Sequence, residues 1–166
     1  MSSGGGKLGD DISEDNPAGI QVRPPFIVIG SIFVGVAINR LLPMNIPLDR
    51  LVGVVAGIFL IVASLVIVGW SFSFFARDEQ DPDPMTPTES LTFDGPYARS
   101  RNPMYVAMFL FQPGVALCAN NIWIATMTVF TLAAIHFAVV LREEAYLRKT
   151  FGASYVDYTS RVRRYV

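Results

Sequence analysis

Charge is what this chain has least of. Asp, Glu, Lys and Arg make up 16% of its 166 residues, where about a quarter is usual in a soluble domain. None of them falls between Leu51 and Phe75. The two signs nearly cancel, to a net charge of −1, and no basic stretch is studded with aromatics, so nucleic acid is not an expected partner. Cys118 is the only cysteine, which excludes a disulfide within the chain. A lone thiol can be a nucleophile, but the plainer role is a small apolar filler near a helix end. No metal site is expected. Nor does any GxGxxG follow a predicted strand, so nothing marks a Rossmann nucleotide site.

What the chain has in quantity is apolar residues, 52% of the total, gathered into long runs. A bilayer-spanning helix needs roughly 20 of them. The runs lie at about 26–42, 51–75, 104–119 and 122–141. The first is the weakest, because Asn39 and Arg40 fall near its end, although Arg40 can snorkel to the interface. The third is short and contains Pro113, which removes a backbone hydrogen bond to Phe109 and predicts a kink. The link Cys118–Asn121 is too short for anything but a tight turn, so the third and fourth runs form a hairpin. Residues 1–24, rich in Gly, Ser and acids, read as a disordered tail. They lack the positive start of a signal peptide. Pro24 and Pro25 precede the first run, as prolines tend to precede helices. The expected organisation is a tail over 1–24 and one membrane domain over 25–166.

If all four runs span, only Arg40 and Arg50 of the 13 Lys and Arg residues face one side. Basic residues mark the cytoplasmic side. Both termini and the connection between runs two and three are therefore expected in the cytoplasm. The membrane is expected to be the plasma (inner) membrane. The connection from Ala76 to Pro96 contains Asp-Pro-Asp-Pro, which forbids a regular helix, and its length suits a covering loop.

Two polar clusters flank the hairpin on that side. Residues 94–105 carry Tyr97, Arg99, Arg101, Asn102 and Tyr105; residues 142–166 open with Arg142, Glu143 and Glu144. The hairpin brings them to one membrane face, where carboxylates beside arginines are costly unless paired or bound to something. Mutual neutralisation of Arg101 with Glu143 or Glu144 is the bland alternative. Asn102-Pro103 also has a purely local reading, as a turn followed by a first helical position. His136 lies two turns, about 10 Å, before Glu143 on the same face; it either contacts substrate or bonds a neighbouring helix. Trp70, Phe72, Phe74 and Phe75 form either a lipid channel or an interfacial belt. Tyr155 and Tyr158 either cover a ligand or pack a surface helix.

The string GPYARSRNPMY (95–105), a hydrophobic hairpin, and LREEAYLRKTFGASYVDY (141–158), in that order, resemble the membrane-bound isoprenylcysteine carboxyl methyltransferase and phospholipid methyltransferase superfamily. The resemblance covers roughly residues 90–166. It implies an all-α integral membrane fold of about four spanning helices with a C-terminal cytoplasmic helix. It further implies S-adenosylmethionine bound at the cytoplasmic boundary, with Tyr97, Asn102, Pro103 and Tyr105 lining its pocket. Glu143 or Glu144 would receive the cofactor ammonium. Of the two, Glu144 is taken for that role, and Glu143 is expected to pair with Arg101 or the tail arginines. Ala107 departs from the glycine common in the family. The tail, Arg161 to Val166, lacks the usual proline, which bears on the roles of Arg163 and Arg164.

The function implied is methyl transfer to a lipid-like or prenylated acceptor entering from the bilayer, by carboxylate O-methylation or amine N-methylation. For a carboxylate, Arg101 would hold the acceptor and no base is needed. For an amine, the spare carboxylate of the glutamate pair would take the proton. The competing class is a non-catalytic membrane protein, a transporter or scaffold. A transporter would place polar groups near the midplane, whereas here they gather at one face.

Overall fold

The computed structural model describes residues 18–77 and 93–166. The covering-loop expectation falls mostly on residues 78–92, outside those described, as does the side chain of Phe75. The described residues form helices α1 (Pro24–Leu41), α2 (Arg50–Arg77), α3 (Pro103–Ala119), α4 (Ile122–Ile135) and α5 (Leu141–Arg161). A 3₁₀ turn at Gly95–Ala98 precedes α3, and a π turn at His136–Val140 joins α4 to α5. No strand occurs among them. The chain is an all-α membrane protein.

Each helix starts where the sequence supplies a start. Pro24 and Pro25 open α1, their missing N–H groups falling where no intrahelical partner exists. The Asp49 carboxylate accepts from the backbone N–H of Leu51 and Val52 at the head of α2. Pro103 opens α3, which runs on through Pro113 as one unbroken helix. Asn120 closes α3 in the left-handed conformation, and Asn121 caps α4 by accepting from Trp123 and Ile124 N–H. That two-residue turn makes the expected hairpin. Ile46 N–H bonds to Asn120 Oδ1, and the Trp123 indole to Leu42 O, tying the α1–α2 loop to it.

Three helical stretches are long and apolar enough to cross a membrane: Pro24–Leu41, Arg50–Phe74 and the run beginning at Ile122. The fourth, α3, has 17 residues, about 25 Å at the α-helical rise and a little short of a bilayer core. It nevertheless lies antiparallel along α2, from Gly53 beside Leu117 to Trp70 beside Pro103. The hairpin sits between the two outer helices, α1 packing on α4 and α2 on α3. Close approach needs glycine at these seams. A Cβ on Gly57 would stand 2.6 Å from Cys118 Sγ and 2.7 Å from the Gly114 carbonyl. Large side chains such as Phe26, Phe33, Leu51 and Phe59 point away from the bundle, which is where lipid replaces water as solvent.

The two ends of the domain add detail to the expected organisation. Residues 1–17 of the expected tail lie outside those described; at its end Ala18, Gly19 and Ile20 are buried, and Ile20 joins the core cluster of Val28, Tyr105, Ile135 and Val139. The Ile20 side chain docks this segment by burying apolar area, and Arg142 fastens it by donating to Gly19 O. The C-terminal helix, α5, follows α4 without a loop. Helix continues from Ile122 through the π turn to Phe151, and only Gly152, at φ 51° and ψ −121°, redirects it. That conformation is open to glycine and strained for other residues.

Candidate functional site

The site is built where the head of α3, the first turn of α5 and the C-terminal tail converge. Before α3 the chain turns sharply at Gly95, with φ at +59° and no room for a Cβ beside the Phe74 ring. Pro96 O then accepts from Arg99 and Ser100 N–H, closing the 3₁₀ turn that carries Tyr97. The Tyr97 ring is half-buried, its hydroxyl beside Ser71 of α2 and its carbonyl accepting from Tyr158 Oη at 2.7 Å. Tyr105, one turn into α3, is buried and donates its hydroxyl to Glu143 Oε2 at 2.8 Å.

From the other side, α5 presents Glu143 and Glu144 in its first turn. The Gly152 break then swings Tyr155 and Tyr158 back under the site, both buried. The tail returns as an extended segment alongside residues 100–102. Arg101 N–H donates to Arg163 O, and Asn102 Nδ2 to Arg164 O, each at 3.0 Å. The return delivers the Arg164 guanidinium to Glu144 as a two-pronged pair, 2.9 Å and 2.8 Å. Arg101 reaches the same carboxylate at 3.3 Å. Further along, Tyr165 Oη lies 2.7 Å from His136 Nδ1.

The two carboxylates therefore live in different electrostatic surroundings. Glu144 faces two guanidinium groups. Glu143 is paired with no cation among the described residues, and its carboxyl group is enclosed. Desolvation pushes its pKa up to about 7, the Tyr105 hydrogen bond opposes this, and the charge of Glu144 adds to it. Burial also raises Tyr97, Tyr155 and Tyr158 above the ordinary phenol range, so all three stay protonated at neutral pH. Arg101 is largely buried against Glu144 and Tyr155, yet its Nε has no acceptor.

Of the residues expected at the site, Tyr97, Arg101, Asn102, Tyr105, Glu143 and Glu144 lie together, whereas Pro103 opens α3 on its other face, beside Ile67 and Trp70. The division of labour between the glutamates differs from expectation. Arg101 and the tail arginine pair with Glu144, not with Glu143, because successive helical positions point about 100° apart and the tail returns on the Glu144 side. Asn102 spends its amide on the Arg164 carbonyl. Tyr155 and Tyr158 of α5 are buried against Arg101 and the Tyr97 carbonyl, and His136 bonds Tyr165 of the tail. Sequence reasoning missed Ser71, which nothing distinguishes from other helical serines. It also missed Tyr165, for which the second tyrosine-bearing tail segment was the available signal.

The arrangement defines a class: a helical membrane protein with an enclosed carboxylate, a carboxylate–arginine set and a wall of tyrosines at one membrane face. Residues 52–154 match the phospholipid methyltransferase family. That stretch is more than half of the chain, from α2 into the Gly152 break, and the chain belongs to this family. The protein-S-isoprenylcysteine O-methyltransferase of Schizosaccharomyces pombe is 32% identical over 108 residues. The aligned stretch covers 64% of this chain and 43% of that relative, so the chain spans under half the relative's length.

Proposed function

We propose that this protein transfers a methyl group from S-adenosylmethionine to a carboxylate on a lipid-like or prenylated acceptor at the membrane boundary. The observation that carries this reading is Glu143, a desolvated carboxylate held by one hydroxyl and by no cation among the described residues. Such a group costs free energy until a cation reaches it. The donor set suits the cofactor: Glu143 accepts from the α-ammonium, and the faces of Tyr97, Tyr105 and Tyr155 favour the sulfonium. S-adenosylmethionine, when bound, supplies an electrophilic methyl group on a positively charged sulfur. Arg101, with its spare buried Nε, orients the acceptor carboxylate. An ionised carboxylate needs no general base, so the chain's contribution is orientation and exclusion of water. The name of the yeast relative and the family description support an amphiphilic acceptor, and the apolar flanks of the site support its arrival from the bilayer. On the same reading the site and both termini face the cytoplasm.

Two measurements test this. Purified protein incubated with methyl-labelled S-adenosylmethionine and either prenylcysteine or membrane lipid extract should yield a labelled lipophilic product. Base-labile label marks an ester, and base-stable label an amine. Glu143→Gln should weaken S-adenosylmethionine binding by about 1.5–3 kcal/mol, the scale of hydrogen bonds to charged groups. Wild-type affinity in that variant removes Glu143 from the cofactor's contacts, and absence of any cofactor binding by the wild type removes the reaction itself.

A further inference from the structure

On the far side of α3 from Glu143 lies a second feature with no part in that chemistry. Ile67 and Trp70 of α2 face Pro96, Ser100, Pro103 and Val106 across a cleft of about 120 Å³, which Arg99 also lines. Pro96 and Pro103 bring no N–H, and Ser100 spends its hydroxyl on Arg164 O and its N–H on Pro96 O, so the walls offer few free donors. Pro103 and Val106 share one face of α3 by their i, i+3 spacing, while Tyr105, turned well away from Pro103, serves Glu143. An occupant of the cleft therefore does not meet the glutamate site.

The rim carries the second half of the signal. Arg99 is exposed, its guanidinium 6.0 Å from the Trp70 ring centroid. Among the described residues its guanidinium forms no ion pair with a carboxylate. Arg77, two turns beyond Trp70 on α2, lies likewise over Phe74, at 5.5 Å. From Arg99 the cleft leads down α2 toward Ile67, away from the helix end and into the apolar span. A cation at the boundary above an apolar slot matches a molecule with a phosphate at one end and hydrocarbon at the other.

We infer that this cleft is a binding site for an anionic phospholipid, its phosphate on Arg99 and the first methylenes of one chain between Trp70 and Val106. The lipid is a bound companion of the bundle, distinct from the acceptor, and the inference does not depend on which reaction the protein performs. The chain's two tryptophans make it measurable. Trp123 sits at the opposite end of the bundle, bonded to Leu42 O, and Trp123→Phe leaves Trp70 as the only reporter. In vesicles of phosphatidylcholine, replacing part of the lipid with phosphatidylglycerol brominated near the head of its chains should quench Trp70 fluorescence. Equal amounts of brominated phosphatidylcholine should quench it less, with about a fivefold difference in apparent affinity, the scale of one basic residue meeting an anionic lipid. Arg99→Gln in the same background should abolish that preference while leaving the helical circular dichroism unchanged. Equal quenching by the two brominated lipids, or a preference that survives Arg99→Gln, overturns the inference.

Discussion

Glu144 balances two guanidinium groups on one carboxylate that is largely shielded from water. Removing one member of such a set leaves the others uncompensated. Glu144→Gln should therefore destabilise the protein by about 3 kcal/mol, the low end for a broken buried pair because Arg164 keeps part of its contact with water. Thermal unfolding in detergent reads this out, and an unchanged midpoint would mean that the pairs are incidental. Glu143 makes the opposite demand on pH. Its folded pKa of about 7 lies above the reference value of 4.5, so the folded state holds a proton that the unfolded state has released. Its contribution is fully present below about pH 4.5 and is lost as pH rises through about 7. The stability difference between wild type and Glu143→Gln should change across that window and flatten above it. Cofactor affinity should rise over the same interval, since a cation favours the ionised form. That a glutamate pair would matter was legible in Arg-Glu-Glu at a helix boundary. Which glutamate takes the arginines was not, because it depends on the path of the returning tail, and no local pattern around Arg164 encodes that path.

At the scale of elements, the seam between α2 and α3 is set by glycine. Gly57 has no space for a methyl group, whereas a Cβ on Gly69, three turns along the same helix, meets nothing within 4 Å. Gly57→Ala should force the helices apart at a cost of about 1–3 kcal/mol. Gly69→Ala should be neutral or stabilising by up to about 1 kcal/mol, through helix propensity alone. Unfolding midpoints of the two variants compare them directly, and equal effects would deny that the seam is close-packed. The helices themselves were readable from run length, from the prolines at 24 and 103 and from Asn120-Asn121. The docked segment at Ala18–Ile20 was not, because one isoleucine among polar residues carries no periodicity. The redirection at Gly152 was within reach, since a glycine between Phe151 and a tyrosine repeat is a natural break.

For the whole molecule, the proposed orientation rests on where the basic residues collect. With the site at the cytoplasmic face, a cysteine at Asp94 should react with a membrane-impermeant maleimide only in inverted vesicles, in a Cys118→Ala background. A cysteine at Met44, exposed in the loop at the opposite end, should react only in intact cells. The reverse pattern would invert the bundle and place the glutamate site outside. The placement of the hairpin between the outer helices has a consequence for how the protein is made. The helices synthesised first, α1 and α2, have their main partners in α4 and α3, which do not yet exist when the first two enter the membrane. The glycine notches at Gly35 and Gly57 then face lipid until the hairpin arrives to fill them. On this packing the first two helices gain their main helix contacts only when the hairpin joins them, so the order of synthesis runs ahead of the order of packing.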